Sequence, residues 1–245
     1  MRAFLVAALL ATVAVAAPTT DVYTIGDSTM ADKPTPKTNP EQGWGQHLSA
    51  FFDSTVAFHN HAVNGRSTKS FIDEGRWSDV LGRLKRDDYV FIQFSHNDEK
   101  IEDSTRYTNP ATTFRANLER FVTESRSKGA HPVLFTPIVR RKFDAGGALV
   151  ETHGAYPDAV RDVAKRLAVP LVDLQTLTAE LVRAAGPERS KRYYVWVAPG
   201  EFPAYPEARR DDTHLSVAGA TEVAKLAARA LAASFVPIGH HVTAK

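Results

Sequence analysis

The sequence changes from apolar to polar within one short stretch, Val22-Tyr23-Thr24-Ile25-Gly26-Asp27-Ser28-Thr29-Met30. Its β-branched and aromatic first half favours a strand, and Gly26 permits a sharp exit from that strand. In an open parallel sheet, ligands bind at the carboxyl ends of the strands. Ser28 is therefore a candidate nucleophile, although a serine hydroxyl stays inert until a base, an orienting group and oxyanion donors surround it.

Strand-like and helix-like segments alternate along the rest of the chain. Further strands are predicted at 55–61, 89–94, 131–138 and 170–174, and helices at 43–52, 68–84 (in two pieces), 110–128, 155–167, 176–185 and 217–234. A small hairpin is predicted at 142–151, and the segment 187–210 is predicted to be irregular. This alternation predicts a parallel sheet with helices on both faces. The loops after its strands share one rim, so we expect Ser28, Gly65 and Asn97 to converge there.

A candidate base for the serine stands near the carboxyl terminus, in Asp211-Asp212-Thr213-His214. We expect these residues to form a turn ahead of the last helix, with Ser216 as its N-cap. A carboxylate three residues before a histidine can accept the Nδ1 proton and leave Nε2 free for Ser28, which favours Asp211 as the orienting group. Asp212 remains an alternative, and His214 alone could be an ordinary residue at a helix start.

Three groups are candidates for the oxyanion hole. The backbone N–H groups of Ser28 and Gly65 are two of them, because a glycine lets a ligand approach the backbone closely. The side-chain amide of Asn97 is the third, a neutral donor suited to a tetrahedral intermediate.

Composition excludes several classes of protein. Arg2 precedes an apolar run that ends at Ala14-Val15-Ala16, a pattern typical of an export signal cleaved after residue 16. We expect residues 1–16 to be this signal peptide and 17–245 to be a single domain, secreted to the periplasm or the medium and free of the membrane after cleavage.

The chain has 30 Lys and Arg against 28 Asp and Glu, a balance that argues against nucleic acid as a partner. It has no cysteine, so disulfides and thiolate chemistry are excluded.

Taken together, the motifs resemble the four sequence blocks of the SGNH (GDSL-type) hydrolase superfamily. The blocks are Gly26-Asp27-Ser28, Gly65, Asn97-Asp98 and Asp211-x-x-His214. The fuller strings are similar to the rhamnogalacturonan acetylesterase branch; they are Gly26-Asp27-Ser28-Thr29-Met30, Gly43-Trp44-Gly45-Gln46, Gly65-Arg66-Ser67, His96-Asn97-Asp98-Glu99 and Asp211-Asp212-Thr213-His214. The chain departs from the family at Ser95, where a glycine is usual, and in lacking the cysteines of fungal members.

The resemblance implies a flavodoxin-like, three-layer α/β/α fold and deacetylation of pectic rhamnogalacturonan. It implies Ser28 as nucleophile, His214 as base and Asp211 as orienting group, with Ser28 N–H, Gly65 N–H and Asn97 as the oxyanion hole. We therefore expect a monomeric, cofactor-independent serine esterase acting on acetylated plant cell-wall polysaccharide. The alternatives are an acetylesterase for xylan or another glycan, a broad short-chain esterase, or a non-catalytic carbohydrate-binding protein.

Two other patterns suggest binding sites. His59-Asn60-His61 has a metal-like spacing but lacks an evident third ligand, so we expect no metal. The clusters Arg140-Arg141-Lys142 and Arg209-Arg210 can bind galacturonate carboxylates, or they are solvated surface.

Overall fold

A computed structural model of the protein describes residues 20–243. The segment 1–16, predicted to be a signal peptide, lies outside the described residues. Within residues 20–243, no helix has both the length and the apolar character needed to cross a lipid bilayer.

A five-stranded parallel sheet forms the centre of the fold. Its strands are β1 (Thr20–Gly26), β2 (Val56–Asn60), β3 (Tyr89–Gln93), β4 (His131–Phe135) and β5 (Leu171–Val172). They lie in the order β2-β1-β3-β4-β5, and every pairing between neighbours is parallel. This order is the flavodoxin-like one, in which the chain leaves β1 in one direction and later crosses to its other side at β3. The predicted strands are confirmed, with ends that differ by a few residues.

Helices cover both faces of the sheet. They are α1 (Thr68–Asp73), α2 (Arg76–Arg83), α3 (Thr113–Ser127), α4 (Tyr156–Arg166), α5 (Leu174–Arg189) and α6 (Val217–Ala232), with 3₁₀ helices at Trp44–Phe51, Ser190–Tyr193 and Pro237–His241. The predicted break between the two pieces of 68–84 is confirmed at Gly75, whose φ is +75°. Ser216 caps α6 as predicted, because its side chain accepts a hydrogen bond from the N–H of Gly219 at 3.1 Å.

Two apolar cores stabilise the layers, one on each face. Alternate residues of β1 separate between them: Val22 packs toward the first 3₁₀ helix, α5 and α6, while Tyr23 and Ile25 pack toward α1 to α4. Each fully buried large apolar side chain contributes roughly 1.5–3 kcal/mol. The predicted three-layer α/β/α architecture is therefore confirmed.

The carboxyl-terminal third differs from the prediction in one respect. The segment 187–210, predicted to be irregular, contains the strand β6 (Tyr194–Val197), which pairs antiparallel with β7 (Arg209–Leu215). Asp211 to His214 therefore lie on a strand rather than in a turn. The polar sequence of β7 gives no apolar alternation, and its extended conformation comes from partners such as Trp196, which lies opposite Arg210.

Candidate active site

The structure brings Ser28 and His214 together from opposite ends of the chain. Ser28 follows β1 directly, and its Oγ lies 2.9 Å from Nε2 of His214 on β7. The Nδ1 atom of His214 lies 2.8 Å from Oδ2 of Asp211. Because an ionised carboxylate only accepts hydrogen bonds, Nδ1 carries the proton and Nε2 is the acceptor for the serine hydroxyl. This is the arrangement that removes a proton from a serine nucleophile.

The turn that carries Ser28 is shaped by the residue before it. Asp27 is fully buried, and its Oδ1 accepts from the backbone N–H of Thr29 at 2.9 Å and from the Thr29 hydroxyl at 2.8 Å. Its other oxygen lies 3.2 Å from Nδ1 of His96. Burial lowers the pKa of His96, so its neutral ring donates Nδ1–H to Asp27. Asp27 therefore fixes the turn that carries the candidate nucleophile Ser28.

Two adjacent aspartates, both candidates for orienting His214, have different partners. Besides the contact with the imidazole, Asp211 accepts from the backbone N–H groups of Thr213 and His214, each at 2.9 Å, through Oδ1. Asp212 instead accepts at Oδ1 from Arg141 and from the indole N–H of Trp196, each at 2.8 Å. The geometry thus pairs Asp211 with His214 and commits Asp212 to the packing of the β6–β7 hairpin.

Burial and hydrogen bonding shift the pKa values of this pair in opposite directions. Burial alone would raise the pKa of Asp211, but hydrogen bonds from His214 and Arg209 outweigh it and hold the pKa far below its usual range. Burial alone would lower the pKa of His214, yet the hydrogen bond to Asp211 and the charges of Glu41 and Asp211 raise it above the ordinary value. An imidazolium at His214, as a general base would form, is therefore stabilised.

The predicted oxyanion donors lie on loops that contact each other. The loop after β2 is attached to the end of β1 by a 3.0 Å hydrogen bond from Val63 N–H to the carbonyl of Gly26. Gly65 adopts a φ of +75°, a conformation that favours glycine. The Asn97 amide donates to the Arg66 carbonyl at 3.1 Å, which connects the loops after β3 and β2 and leaves its second N–H available. Within residues 20–243, the N–H groups of Ser28 and Gly65 make no hydrogen bond to protein.

A buried polar network supports the turn that contains Asn97. Ser95 has a φ of +152°, which explains why glycine is usual there, and its hydroxyl donates to Glu99. Glu99 is also paired with His153, and with Arg140 at 2.8 Å. Burial opposes ionisation of Glu99, but these partners lower its pKa to about 2. Both ends of the turn are therefore fixed around Asn97.

Asp98, beside Asn97, anchors α1 to this turn. Its carboxylate accepts from the backbone N–H of Thr68 at 3.0 Å and from the hydroxyls of Thr68 and Thr108 at 2.6 and 2.7 Å. Burial raises its pKa to about 7, although these hydrogen bonds oppose the shift.

Three arginines of the predicted basic clusters pair with carboxylates of the protein itself. Arg140 is paired with Glu99, and Arg141 is only 7% exposed and bonded to Asp212. Arg209 donates to Asp211 at 2.7 Å, a contact that the sequence analysis does not predict, and Lys142 and Arg210 are exposed. His59 bonds Asp21 at 2.7 Å, and residues 20–243 contain no group of three or more His, Cys, Asp or Glu placed to hold a metal ion.

An open cleft lies beside Gly65. It has a volume of about 680 Å³, and Arg66 and Arg106 are among its lining residues. Arg106 also approaches Asn97, with its Nη1 3.4 Å from the amide oxygen. The cleft is large enough for sugar residues beside Gly65.

Comparisons with known proteins agree with this geometry. Residues 24–222 match the model of the GDSL-like Lipase/Acylhydrolase family. The chain is 44% identical to the rhamnogalacturonan acetylesterase RhgT of Bacillus subtilis (strain 168), over 91% of this chain and 94% of that protein. It is 32% identical to the probable rhamnogalacturonan acetylesterase YesY of the same organism, over 89% of this chain and 94% of that protein.

A solved structure also resembles this fold. The crystal structure of YxiM from Bacillus subtilis superimposes with a TM-score of 0.74 at 26% identity. The match covers 87% of this chain and 56% of that one, so this chain spans little more than half of YxiM. Strand order, site geometry and the sequence matches all lead to one conclusion: this chain belongs to the GDSL-like lipase/acylhydrolase family.

Proposed function

We propose that the protein is a carbohydrate O-acetylesterase that removes acetyl groups from pectic rhamnogalacturonan. Membership of the acylhydrolase family makes it a carboxylic-ester hydrolase. The substrate is inferred from the relatives RhgT and YesY, whose names give rhamnogalacturonan acetylesterase activity and which match nearly the whole chain. The observation that carries the proposal is the contact of 2.9 Å between Ser28 Oγ and His214 Nε2, with His214 Nδ1 in turn 2.8 Å from Asp211.

In the mechanism that we infer, Ser28 attacks the acetyl carbonyl while His214 takes its proton and Asp211 holds the imidazole. The N–H groups of Ser28 and Gly65 and the Asn97 amide stabilise the oxyanion. His214 then gives the proton to the sugar oxygen as its bond to the acetyl carbon breaks, so that the sugar departs with a free hydroxyl and Ser28 carries the acetyl group. Water, deprotonated by His214, attacks this ester and releases acetate and free Ser28. Ser28 acts twice, through its hydroxyl as nucleophile and through its backbone N–H as a donor.

We further infer that the protein works as a monomer outside the cytoplasm after removal of residues 1–16. The support for export is the positive charge at Arg2 followed by an apolar run that ends in small residues. Amino-terminal sequencing of the exported protein tests the cleavage site, and light scattering tests the monomer.

The deciding experiment compares acetate release from acetylated rhamnogalacturonan, acetylated xylan and acetylated homogalacturonan at equal acetyl content. We expect the first to have the highest kcat/KM. Equal or faster release from xylan would replace the proposed substrate.

Two serine-to-alanine variants, one at Ser28 and one at a control position, test the mechanism on a small aryl acetate. Ser28→Ala should abolish turnover and leave the melting temperature nearly unchanged, while Ser78→Ala, at an exposed serine on α2, should retain it. Turnover by Ser28→Ala would refute the role of Ser28 as nucleophile. If the wild type had no esterase activity, the alternative of a non-catalytic carbohydrate-binding protein would stand instead.

A further inference from the structure

Arg209 and His214 share one oxygen of Asp211. The Arg209 guanidinium donates through Nη2 to Oδ2 at 2.7 Å, and the imidazole Nδ1–H donates to the same Oδ2 at 2.8 Å. Arg209 and Asp211 are two residues apart on β7, so their side chains emerge on one face of the strand. The candidate orienting carboxylate therefore has two cationic or potentially cationic partners.

This ion pair differs from an ordinary surface pair. The Asp211 side chain is only 10% exposed, whereas that of Arg209 is 45% exposed. A carboxylate with little access to water interacts more strongly with a nearby cation than a solvated one does. The positive charge of Arg209 is therefore felt at Asp211 and, through it, at His214.

Further contacts restrict where the guanidinium can lie. It packs over the ring of Tyr205 at 5.5 Å, and the Tyr205 hydroxyl donates to Glu41 Oε2 at 3.2 Å. Glu41 in turn pairs with Lys33 at 2.8 Å, and Lys33 donates to the side chain of Asn64, the neighbour of Gly65. Contacts thus run continuously from Asp211 to the loop that carries Gly65.

We propose that Arg209 is a positioning residue that acts through Asp211 and lowers the proton affinity of His214. The proposal rests on the acyl-enzyme mechanism proposed above. A guanidinium on Oδ2 competes with the imidazolium for the same negative charge, so the pair stabilises protonated His214 less than an unshared carboxylate would. The base consequently stays neutral, and able to accept the Ser28 proton, at a lower pH.

The other charged groups that face His214 come from two elements. Asp211 and Arg209 lie on β7, and Glu41 and Lys33 lie in the loop after β1. Glu41 and Asp211 raise the pKa of His214, while burial and the charge of Lys33 lower it. Since substitution at Arg209 leaves Glu41 and Lys33 in place, its effect on the pH profile can be separated from theirs.

The test is the pH dependence of kcat/KM for a small aryl acetate. Arg209→Gln removes the charge, and we expect the acidic limb of the profile to move up by about one pH unit, as for loss of a charge within about 4–6 Å. Arg209→Lys keeps the charge and should leave the limb within about 0.3 pH unit of the wild type, since only a lost charge moves it so far. Because the Arg209 side chain is partly exposed, we expect both variants to fold, which their melting temperatures check.

The neighbouring residue provides a matched control. Arg210→Gln removes the same charge from the same strand, but the Arg210 guanidinium lies 5.8 Å from the Trp196 ring centre instead of on Asp211. We expect the acidic limb of the kcat/KM profile of Arg210→Gln to stay at the wild-type pH. An equal shift in Arg210→Gln, or a lower kcat/KM in Arg209→Gln with an unmoved limb, would overturn the proposal.

Two further outcomes are decisive. If Arg209→Gln does not fold, Arg209→Met is the uncharged variant: an acidic limb at higher pH than that of Arg209→Lys supports the proposal, and limbs at the same pH contradict it. If the acidic limb of Arg209→Gln does not move and Ser28→Ala is inactive, only the role proposed for Arg209 is refuted. If Ser28→Ala is active, the acyl-enzyme mechanism itself is refuted.

Discussion

Replacement of Ser95 by glycine or alanine separates backbone strain from hydrogen bonding next to the candidate oxyanion donor Asn97. Ser95 is fully buried, has a φ of +152° and donates its hydroxyl to Glu99. Alanine removes the hydrogen bond and keeps the unfavourable φ. Glycine removes the same hydrogen bond but adopts this φ freely.

The expected free energies of unfolding follow from these two effects. A hydrogen bond to a charged group contributes about 1.5–3 kcal/mol, and we take the lower value because Glu99 keeps Arg140 and His153 as partners. Ser95→Ala should therefore lose about 1.5 kcal/mol. Ser95→Gly recovers about 1–3 kcal/mol of strain and loses about 0.5–1 kcal/mol through the more flexible unfolded chain. We expect the glycine variant to be more stable than the alanine variant by about 1 kcal/mol.

Urea unfolding monitored by tryptophan fluorescence measures this difference, provided the m-values agree. Exposed Ser78 on α2 is the control, because in a helix alanine is more stable than glycine by about 1 kcal/mol. At position 95 the glycine variant should thus be the more stable one, and at position 78 the alanine variant. If Ser95→Ala were at least as stable as Ser95→Gly, the strain assigned to this turn would be refuted.

Three further expectations concern the site and its support. Asp211→Asn should lower kcat by about 10³-fold or more, whereas Asp212→Asn should retain turnover and lose about 2–3 kcal/mol of stability because Arg141 loses its carboxylate; steady-state kinetics and urea unfolding distinguish them, and the reverse pattern would make Asp212 the orienting group. Asn97→Ala should lower kcat by about 10²-fold with little change in KM, and a change in KM alone would make Asn97 a substrate-binding residue. Because the pKa of Glu99 is lowered to about 2, its contribution is present above pH 4.5 and is lost as the pH falls toward 2. The wild type should therefore lose up to about 3 kcal/mol more than Glu99→Gln between pH 6 and pH 2 in urea unfolding, and equal losses would contradict the ionised network.

The sheet and the position of the candidate nucleophile Ser28 at a strand end could be predicted from the sequence because their signals are local. Buried parallel strands appear as short apolar runs, and the change of character at Gly26 places Ser28 at a strand end. Gly65 and Asn97 follow the next two sheet strands in the same way, so parallel topology alone places all three at one rim.

The three-residue spacing to His214 favours Asp211 as the orienting group, but the sequence leaves Asp212 open as an alternative. What engages Asp212 could not be predicted, since its partners Arg141 and Trp196 are distant in sequence and approach it only in the folded chain. The strand β7 likewise depends on a partner elsewhere in the chain, because its polar residues adopt an extended conformation by pairing with β6. The strain at Ser95 comes from its positive φ, which cannot be deduced from the presence of a serine.

The hairpin of β6 and β7 places the candidate base His214 outside the parallel sheet that positions Ser28. Within residues 20–243, β6 and β7 form a two-stranded sheet of their own, and the loop 198–208 joins them. Insertions or deletions in that loop would change the surroundings of Arg209 and Tyr205 while the five strands of the parallel sheet kept their register. During divergence of the family, this loop is therefore a place where the surroundings of the candidate base can change at little cost to the central sheet.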